Sequence, residues 1–325
     1  MIVTVTGANG FIGRHLLEDQ LAQGRQVRAV DISLSNLEGL RNNPSVALIQ
    51  ADIRDTDRMK AAVEGSEIIF HLASAHLAVS LSEDEYWKIN RDGCRAFVEL
   101  CHRSGVSRFV HCSSVGVHGE IENPPANEDS PCHPDLIYEK TKLAGEEGVL
   151  GYYKETQFPI VVVRPVWVYG PRCSRTEKLL RMVKKGRFFF VGDGQTLRHC
   201  IYISDMVAAF NLCAEHPSAP GQVFIIGDQS AVTIRELINR IAEAVGVAPP
   251  KLALPLGLMK IACAFFEKVF SILGKEPPVS SRSLKFFTNN TSFDISRVQK
   301  EIGYQPKVSL REGLALTDAS MKKRI

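Results

Sequence analysis

The chain of 325 residues lacks most features that would place it in a specialised class at once. It has no excess of one charge: 39 Lys and Arg stand against 36 Asp and Glu, a formal net charge of +3. The basic residues are scattered, apart from a short end at Lys322, Lys323 and Arg324, so the balance argues against nucleic acid as a partner. No apolar run approaches the roughly 20 residues needed to cross a bilayer, so stable membrane insertion is not expected. None of the eight cysteines forms a CxxC pair or lies at metal-ligand spacing from a histidine, and no metal is expected. Buried free thiols fit a reducing compartment. With no signal peptide evident before the first strand, the expected location is cytoplasmic. Internal repeats and low-complexity stretches are also missing.

What is present is alternation. Apolar, β-branched runs at 2–6, 26–30, 46–49, 67–72, 107–112 and 159–164 read as buried strands. Amphipathic patterns at about 11–23, 55–64, 84–103 and 138–155 fall between them. This predicts an α/β fold, a doubly wound parallel sheet covered by helices on both faces, of the NAD(P)-binding Rossmann type. After Pro165 the pattern loosens. Helices are expected near 176–185, 204–215, 233–245 and 255–273, a strand at 222–226, and short strands and loops over 188–203. The predicted organisation is an NAD-binding domain over 1–165, with 200–225 returning to it. A smaller C-terminal substrate lobe would comprise 166–199 and 226–325.

The first strand runs into Thr6-Gly7-Ala8-Asn9-Gly10-Phe11-Ile12-Gly13 and then a helix. Gly7 permits a tight turn, Gly10 a close approach of pyrophosphate to backbone, and Gly13 close packing of helix on sheet. The free N–H groups of the helix start suit phosphate oxygens. The second strand ends in Asp31, an acceptor for both ribose hydroxyls of NAD that would repel the extra phosphate of NADP. NAD is therefore preferred, with Arg25 and Arg28 close enough to keep NADP open. Asp52 and Ile53 close the third strand, where an adenine would lie. His71, then Leu72, Ala73 and Ser74, close the fourth, where small residues leave room for a cofactor.

Tyr138 and Lys142 lie four apart on a predicted helix and share a face. A phenol titrates ordinarily near 10. A nearby ammonium favours its ionised form, which fits it to take a proton from an alcohol. Tyr138 is the one tyrosine of seven with a lysine at that offset. It follows a long Pro- and Asn-rich loop, 120–136, of the sort that covers a site. Ser114, at the end of the fifth strand, can donate to a substrate oxygen, whereas Ser113 better suits capping of backbone groups. Asn90 stands inside a predicted helix, where its propensity is poor, and suits a bridge behind the Tyr–Lys pair.

Taken in order, these residues resemble the extended short-chain dehydrogenase/reductase superfamily, and within it the NAD-dependent epimerase/dehydratase family, over nearly the whole chain. Further landmarks are Arg164-Pro165-Val166-Trp167-Val168-Tyr169-Gly170-Pro171, Val191-Gly192-Asp193-Gly194-Gln195-Thr196-Leu197-Arg198 and Ile302-Gly303-Tyr304-Gln305-Pro306. The resemblance implies a catalytic set of Ser114, Tyr138 and Lys142 supported by Asn90. It also implies a cofactor contact at Pro165 and Val168, and a homodimer through the helices near 84–103 and 138–155. Substrate would meet Ser114, His118, Trp167 and Arg198, the last placed to grip a nucleotide-sugar diphosphate. Two positions depart from the pattern: His118 stands where the family often has Tyr, and Trp167 where many nucleotide-sugar members have Asn. The first expectation is an epimerase or dehydratase of a nucleotide sugar working by transient hydride transfer to bound NAD. The alternative is a dehydrogenase of a hydrophobic alcohol, like 3β-hydroxysteroid dehydrogenase or dihydroflavonol reductase. The apolar helix over 255–273, a greasy cap or a membrane-surface element, belongs to that alternative. A purely NAD-sensing or scaffold protein is the least favoured, because it would have no use for the Ser–Tyr–Lys set.

Overall fold

In the computed structural model, residues 1–76, 81–272 and 281–324 are described. The first half alternates strand and helix: β1 (Ile2–Thr6), α1 (Phe11–Ala22), β2 (Gln26–Asp31), β3 (Val46–Gln50), α2 (Thr56–Val63) and β4 (Ile68–His71). It continues with α3 (Glu83–Trp87), α4 (Cys94–Arg103), β5 (Arg108–Cys112), α5 (Ile137–Thr156) and β6 (Ile160–Pro165). The second half holds β7 (Trp167–Tyr169), α6 (Ser174–Lys184), β8 (Phe190–Val191), β9 (Leu197–Arg198), β10 (Cys200–Tyr202), α7 (Ile203–Glu215) and β11 (Val223–Ile226). Then come β12 (Val232–Thr233), α8 (Ile234–Val245), β13 (Ala253–Leu254), α9 (Leu256–Ile272), α10 (Ser281–Thr288), α11 (Ser296–Ile302) and α12 (Leu310–Lys322).

Among the described residues, seven strands form one sheet in the order β11-β6-β5-β4-β1-β2-β3. Every pairing within it is parallel. The chain is thus an α/β Rossmann fold, doubly wound from β1. Its direction of winding reverses between β1 and β4, so a crevice opens beyond the carboxyl ends of those strands. Parallel strands are buried on both faces, and the alternation along each one sorts its side chains into two cores. Val5, Phe70, Val110, Val161 and Val163 join Leu16 and Leu17 of α1 and Phe210 of α7 on one face. Ile69, Phe109, Ile160 and Val162 join Met59, Phe97, Val98 and Val149 of α2, α4 and α5 on the other.

Local chemistry sets the ends of several helices. Asp55 accepts from Arg58 N (3.1 Å) to start α2, and Thr233 accepts from Glu236 N (3.0 Å) to start α8. The helix expected over 84–103 is one helical run with a π segment, Lys88–Gly93, between α3 and α4. Such a wide turn shifts the register of the side chains that follow, and it is often tied to a site. The helices α10, α11 and α12 were not anticipated. They are short or lie beyond the region of clear alternation, and α12 is held by packing against α8 and α6. Leu273, the last residue of the expected 255–273 helix, lies outside the described residues, as do Gly274, Pro277 and Pro278 beyond it.

Candidate active site

The crevice begins at the loop after β1. Gly7 has φ +71°, and a Cβ there would lie 2.8 Å from Ala73 N and the Leu72 carbonyl carbon. A Cβ on Gly13 would lie 2.2 Å from Gly7 O, so only glycine lets α1 press against the loop. Gly10 occupies the N-cap of α1 and supplies no side-chain cap, leaving the N–H groups of Phe11, Ile12 and Gly13 at an uncapped helix start. That arrangement fits a dinucleotide pyrophosphate. Asp31, at the end of β2, accepts from Asn9 N (3.0 Å) and Ser33 N (3.1 Å), which fixes the carboxylate beside the loop. Burial raises its pKa, and these backbone N–H bonds oppose the shift. Asn9 is itself held by Asn36, whose N donates to Asn9 Oδ1 at 2.7 Å. Asp52 forms a bidentate pair with Arg54, whose bonds hold its pKa low, while Ile53 is buried. On the far side of the switch point, Thr6 Oγ1 accepts from Ala73 N (3.2 Å), anchoring the Leu72–Ser74 segment beside the glycine loop. Pro165 ends β6 and Val168 is buried in β7, so these two stand at the other end of the crevice.

The Tyr–Lys pair lies on α5. The Glu139 carboxylate accepts from Leu136 N (3.2 Å) and Asp135 N (3.3 Å), which fixes the first turn of α5 and with it Tyr138. The Tyr138 ring meets the His76 ring edge-on at 4.7 Å. Burial pushes the phenol well above its ordinary range. The nearby Cys112 thiol adds to that, and the Ser114 hydroxyl and the Arg175 charge pull the other way. Lys142 is buried, and its Nζ donates to Cys112 O at 2.5 Å. Burial lowers its pKa, and Cys112, Cys94 and Glu146 oppose that shift. Ser114 Oγ accepts from Gly116 N at 3.0 Å, so the hydroxyl is oriented from its own turn. Ser113 Oγ is buried with no hydrogen-bond partner among the described residues, although its backbone N donates to Val163 O at 2.7 Å.

Asn90 sits in the π segment and is buried. Its Oδ1 accepts from Ala75 N (2.7 Å), and its Nδ2 donates to Ala75 O (3.1 Å) and to Thr141 Oγ1 (2.9 Å). It therefore ties the loop after β4 to the helical turn between Tyr138 and Lys142. A Cβ on Gly145 would lie 2.1 Å from Asn90 O, so α5 reaches Asn90 only because a glycine stands there. The sequence reading missed Gly145, since the contact it serves spans two helices. It also missed a buried cluster beneath Lys142. His71, Cys94 and His111 bring ligand atoms within 4.8 Å of one another. His71 Nδ1 meets Thr6 Oγ1 at 2.8 Å, Cys94 Sγ meets His111 Nδ1 at 3.5 Å, and His111 Nε2 has no partner among the described residues. Burial and then the Lys142 ammonium hold both imidazoles neutral, His71 down to about 3 and His111 well below its ordinary value. The same ammonium opposes a divalent cation among these ligands.

The candidate substrate side is less uniform. Both ring nitrogens of buried His118 meet protein groups: Nδ1 lies 3.3 Å from Pro131 O and Nε2 3.1 Å from Arg164 Nη1. Arg164 is in turn paired with buried Glu146. Arg198 is buried and closes the C-terminal end of α10. It donates to Asn289 O (2.7 Å), Thr291 Oγ1 (3.1 Å), Lys285 O (2.9 Å) and Phe286 O. Its guanidinium also lies 4.8 Å from the centre of the Phe286 ring. Burial lowers its pKa to about 10. Trp167 is half-buried and packs edge-on against Phe286, 6.2 Å between ring centres. A cleft of about 850 Å³ opens beside the glycine loop, lined by Asn9, Gly10, Arg14, Asn36, Arg172 and Ser204 among others. It does not include Tyr138 or Ser114, so it flanks the crevice.

Residues 3–227 match the model of the NAD dependent epimerase/dehydratase family. Among curated relatives, UDP-glucose 4-epimerase of Mycolicibacterium smegmatis is 32% identical over 335 residues, covering 98% of this chain and 97% of that protein. The 3beta-hydroxysteroid-dehydrogenase/decarboxylase isoform 1 of Arabidopsis thaliana is 26% identical over 345 residues, covering 96% and 78%. The crystal structure of UDP-glucuronic acid 4-epimerase from Bacillus cereus in complex with NAD superposes with a TM-score of 0.80 at 25% identity, covering 100% of this chain and 99% of that one. No helix among the described residues is long and apolar enough to cross a membrane. With the glycine loop, the parallel sheet and the family match in agreement, the chain belongs to the NAD-dependent epimerase/dehydratase family, enzymes of the extended short-chain dehydrogenase/reductase type.

Proposed function

We infer that this enzyme oxidises or reduces a hydrophobic secondary alcohol or ketone, with Tyr138 as the acid–base residue and NAD preferred to NADP. The observation that carries the substrate class is the engagement of Arg198. Two carbonyls of the last turns of α10 and two acceptors just beyond it, Asn289 O and Thr291 Oγ1, hold its guanidinium, which is not presented to a diphosphate. The half-buried Trp167 against Phe286 offers an apolar wall where a phosphate-binding Asn would serve a sugar nucleotide. The likeness to a 3beta-hydroxysteroid-dehydrogenase/decarboxylase supports the same reading. The cofactor choice rests on Asp31, whose carboxylate, fixed by Asn9 and Ser33, would repel a 2′-phosphate.

A bound nicotinamide supplies the acceptor for the two electrons and the hydrogen removed from the alcohol carbon. The chain supplies the rest. Tyr138 takes the hydroxyl proton at its phenolic oxygen, and Ser114 donates to the same substrate oxygen. Lys142 would hold the cofactor ribose; its Nζ donates to Cys112 O, and the groups that pull the phenol toward ionisation are the Ser114 hydroxyl and the Arg175 charge. Asn90 is a positioning residue, acting through Thr141 and Ala75. The protein would work as a homodimer in the cytoplasm.

A second reading, the interconversion of a nucleotide sugar, is favoured by the 32% identical UDP-glucose 4-epimerase. It requires Arg198 to leave α10. Purified protein assayed with a panel of sterols and long-chain hydroxy compounds, and with UDP-, dTDP- and GDP-sugars, separates the two. Steady NADH formation from the first panel is expected. Sugar interconversion with no net NADH overturns this reading in favour of the second.

A further inference from the structure

The described part of the chain exposes seven large hydrophobic side chains to a marked degree, and four of them fall within fourteen consecutive residues: Leu252, Leu258, Ile261 and Phe265. The last three are spaced three and four apart on α9, so they form one stripe along a single helix face. Ile261 is 71% and Phe265 63% exposed, more than a packing role explains. The opposite face of α9 is already used, since Met259 and Cys263 are buried against Val191 and Leu284. Among the described residues the stripe is therefore a second, exposed apolar face of α9.

Charge around it is mainly basic. Residues 251–266 contain Lys251 and Lys260 and no acid, and Lys268 follows one turn beyond, beside Glu267. The neighbouring strand adds more. β13 pairs in parallel with β8, Ala253 opposite Phe190, so Lys251 and Arg187 stand at the same end of that ladder. Lys184 and Lys185 precede Arg187 on the surface, and the exposed acid of this segment, Asp193, follows the other end of β8. An apolar helix face rimmed by lysine and arginine matches an anionic bilayer: apolar side chains enter the acyl boundary while the cations meet lipid phosphates. A second copy of the chain fits less well, because a two-fold contact would set this basic rim against itself.

We propose that α9 docks the enzyme on the surface of an anionic membrane through Leu258, Ile261 and Phe265, with Lys184, Lys185, Arg187, Lys251 and Lys260 as its electrostatic rim. The contact is peripheral. The buried side of α9 also reaches toward the crevice, since Leu284 lies on α10, whose Phe286 touches Trp167. Docking would thus set the apolar wall of the crevice close to the lipid from which a hydrophobic substrate comes. That last consequence rests on the proposed function; the docking does not.

The test is sedimentation of the full chain with vesicles of phosphatidylcholine alone or of phosphatidylcholine with phosphatidylglycerol. Binding is expected to the anionic vesicles only, and to fall as salt is raised. Ile261→Glu with Phe265→Glu should abolish it. Lys184→Glu with Lys185→Glu should weaken it about tenfold or more. Both variants should keep the wild-type melting temperature, which excludes misfolding. Failure of the wild type to bind, or equal binding by Ile261→Glu/Phe265→Glu, overturns the proposal. So does a dimer that this variant splits while the wild type ignores vesicles, because a second copy would then cover the face. Sterol oxidation assayed in detergent is indifferent to all these outcomes, so a failure here is distinguishable from a failure of the catalytic assignment.

Discussion

The two sides of the crevice are built differently. On the sheet side, close backbone contacts or hydrogen bonds to neighbouring elements hold several residues of the site. Gly13 is wedged under Gly7, Asp31 is held by Asn9, and Asn90 is clamped to Ala75 and Thr141. On the other side, aromatic packing and an arginine on helix-end carbonyls shape the wall, with Trp167, Phe286, Phe287 and Arg198 in one apolar group. A rigid half that can carry chemistry faces a half whose chemistry is unspecific and whose shape sets the ligand. Substitutions on the sheet side should alter rate and cofactor binding, and those on the other side stability and selectivity.

The strongest way to break this contrast is Tyr138→Phe. Turnover should fall by about 10²–10⁴-fold while dinucleotide affinity, measured by fluorescence titration, stays as in the wild type. Undiminished turnover would remove the proposed acid–base residue. Gly13→Ala should come next, since its methyl group would meet Gly7 O at 2.2 Å and push α1 off the loop. At least about tenfold weaker dinucleotide binding is expected, with about 1–3 kcal/mol less stability in urea unfolding. Asn90→Ala leaves Ala75 N without its buried partner and should cost about 1–3 kcal/mol. It should also lower kcat more than it raises KM, because the turn bearing Tyr138 loses its brace. In Arg198→Ala the loss should appear in the melting temperature, with the KM for a hydrophobic alcohol little changed. A large rise in KM for a sugar nucleotide would instead reassign that side of the crevice.

A pH series sharpens the comparison on the sheet side. His71 and His111 are held below the ordinary 6.5, so the unfolded chain binds protons that the folded chain refuses. Their contribution is complete above pH 6.5 and is lost as pH falls, by about 1.4 kcal/mol per unit for each imidazole. For His71 the loss continues down to about 3. Urea unfolding at stepped pH should show a shallower acid slope in His111→Gln than in the wild type. An unchanged slope would mean that other groups set it.

The sheet and its glycine loop were legible because both depend on residue types that serve one backbone purpose: β-branched runs for parallel strands, and glycines where a Cβ would collide. Tyr138 and Lys142 were readable as a pair because helical spacing alone brings them to one face. The π segment was not readable, since one wide turn leaves no compositional trace. Neither was the His71–Cys94–His111 cluster, whose members come from two strand positions and a helix. The engagement of Arg198 escaped for another reason. Its partners are mainly backbone carbonyls, and a carbonyl acceptor leaves no mark on side-chain identity.

The outer neighbour of β6 is β11, contributed by residues 223–226, long after the chain has left the sheet at Pro165. A fragment ending at 165 would therefore expose a full row of unpaired amide and carbonyl groups along Ile160–Pro165, beside valines meant for the interior. Such a fragment should be prone to aggregate, and a ribosome must deliver more than two thirds of this polypeptide before β6 can gain its outer neighbour.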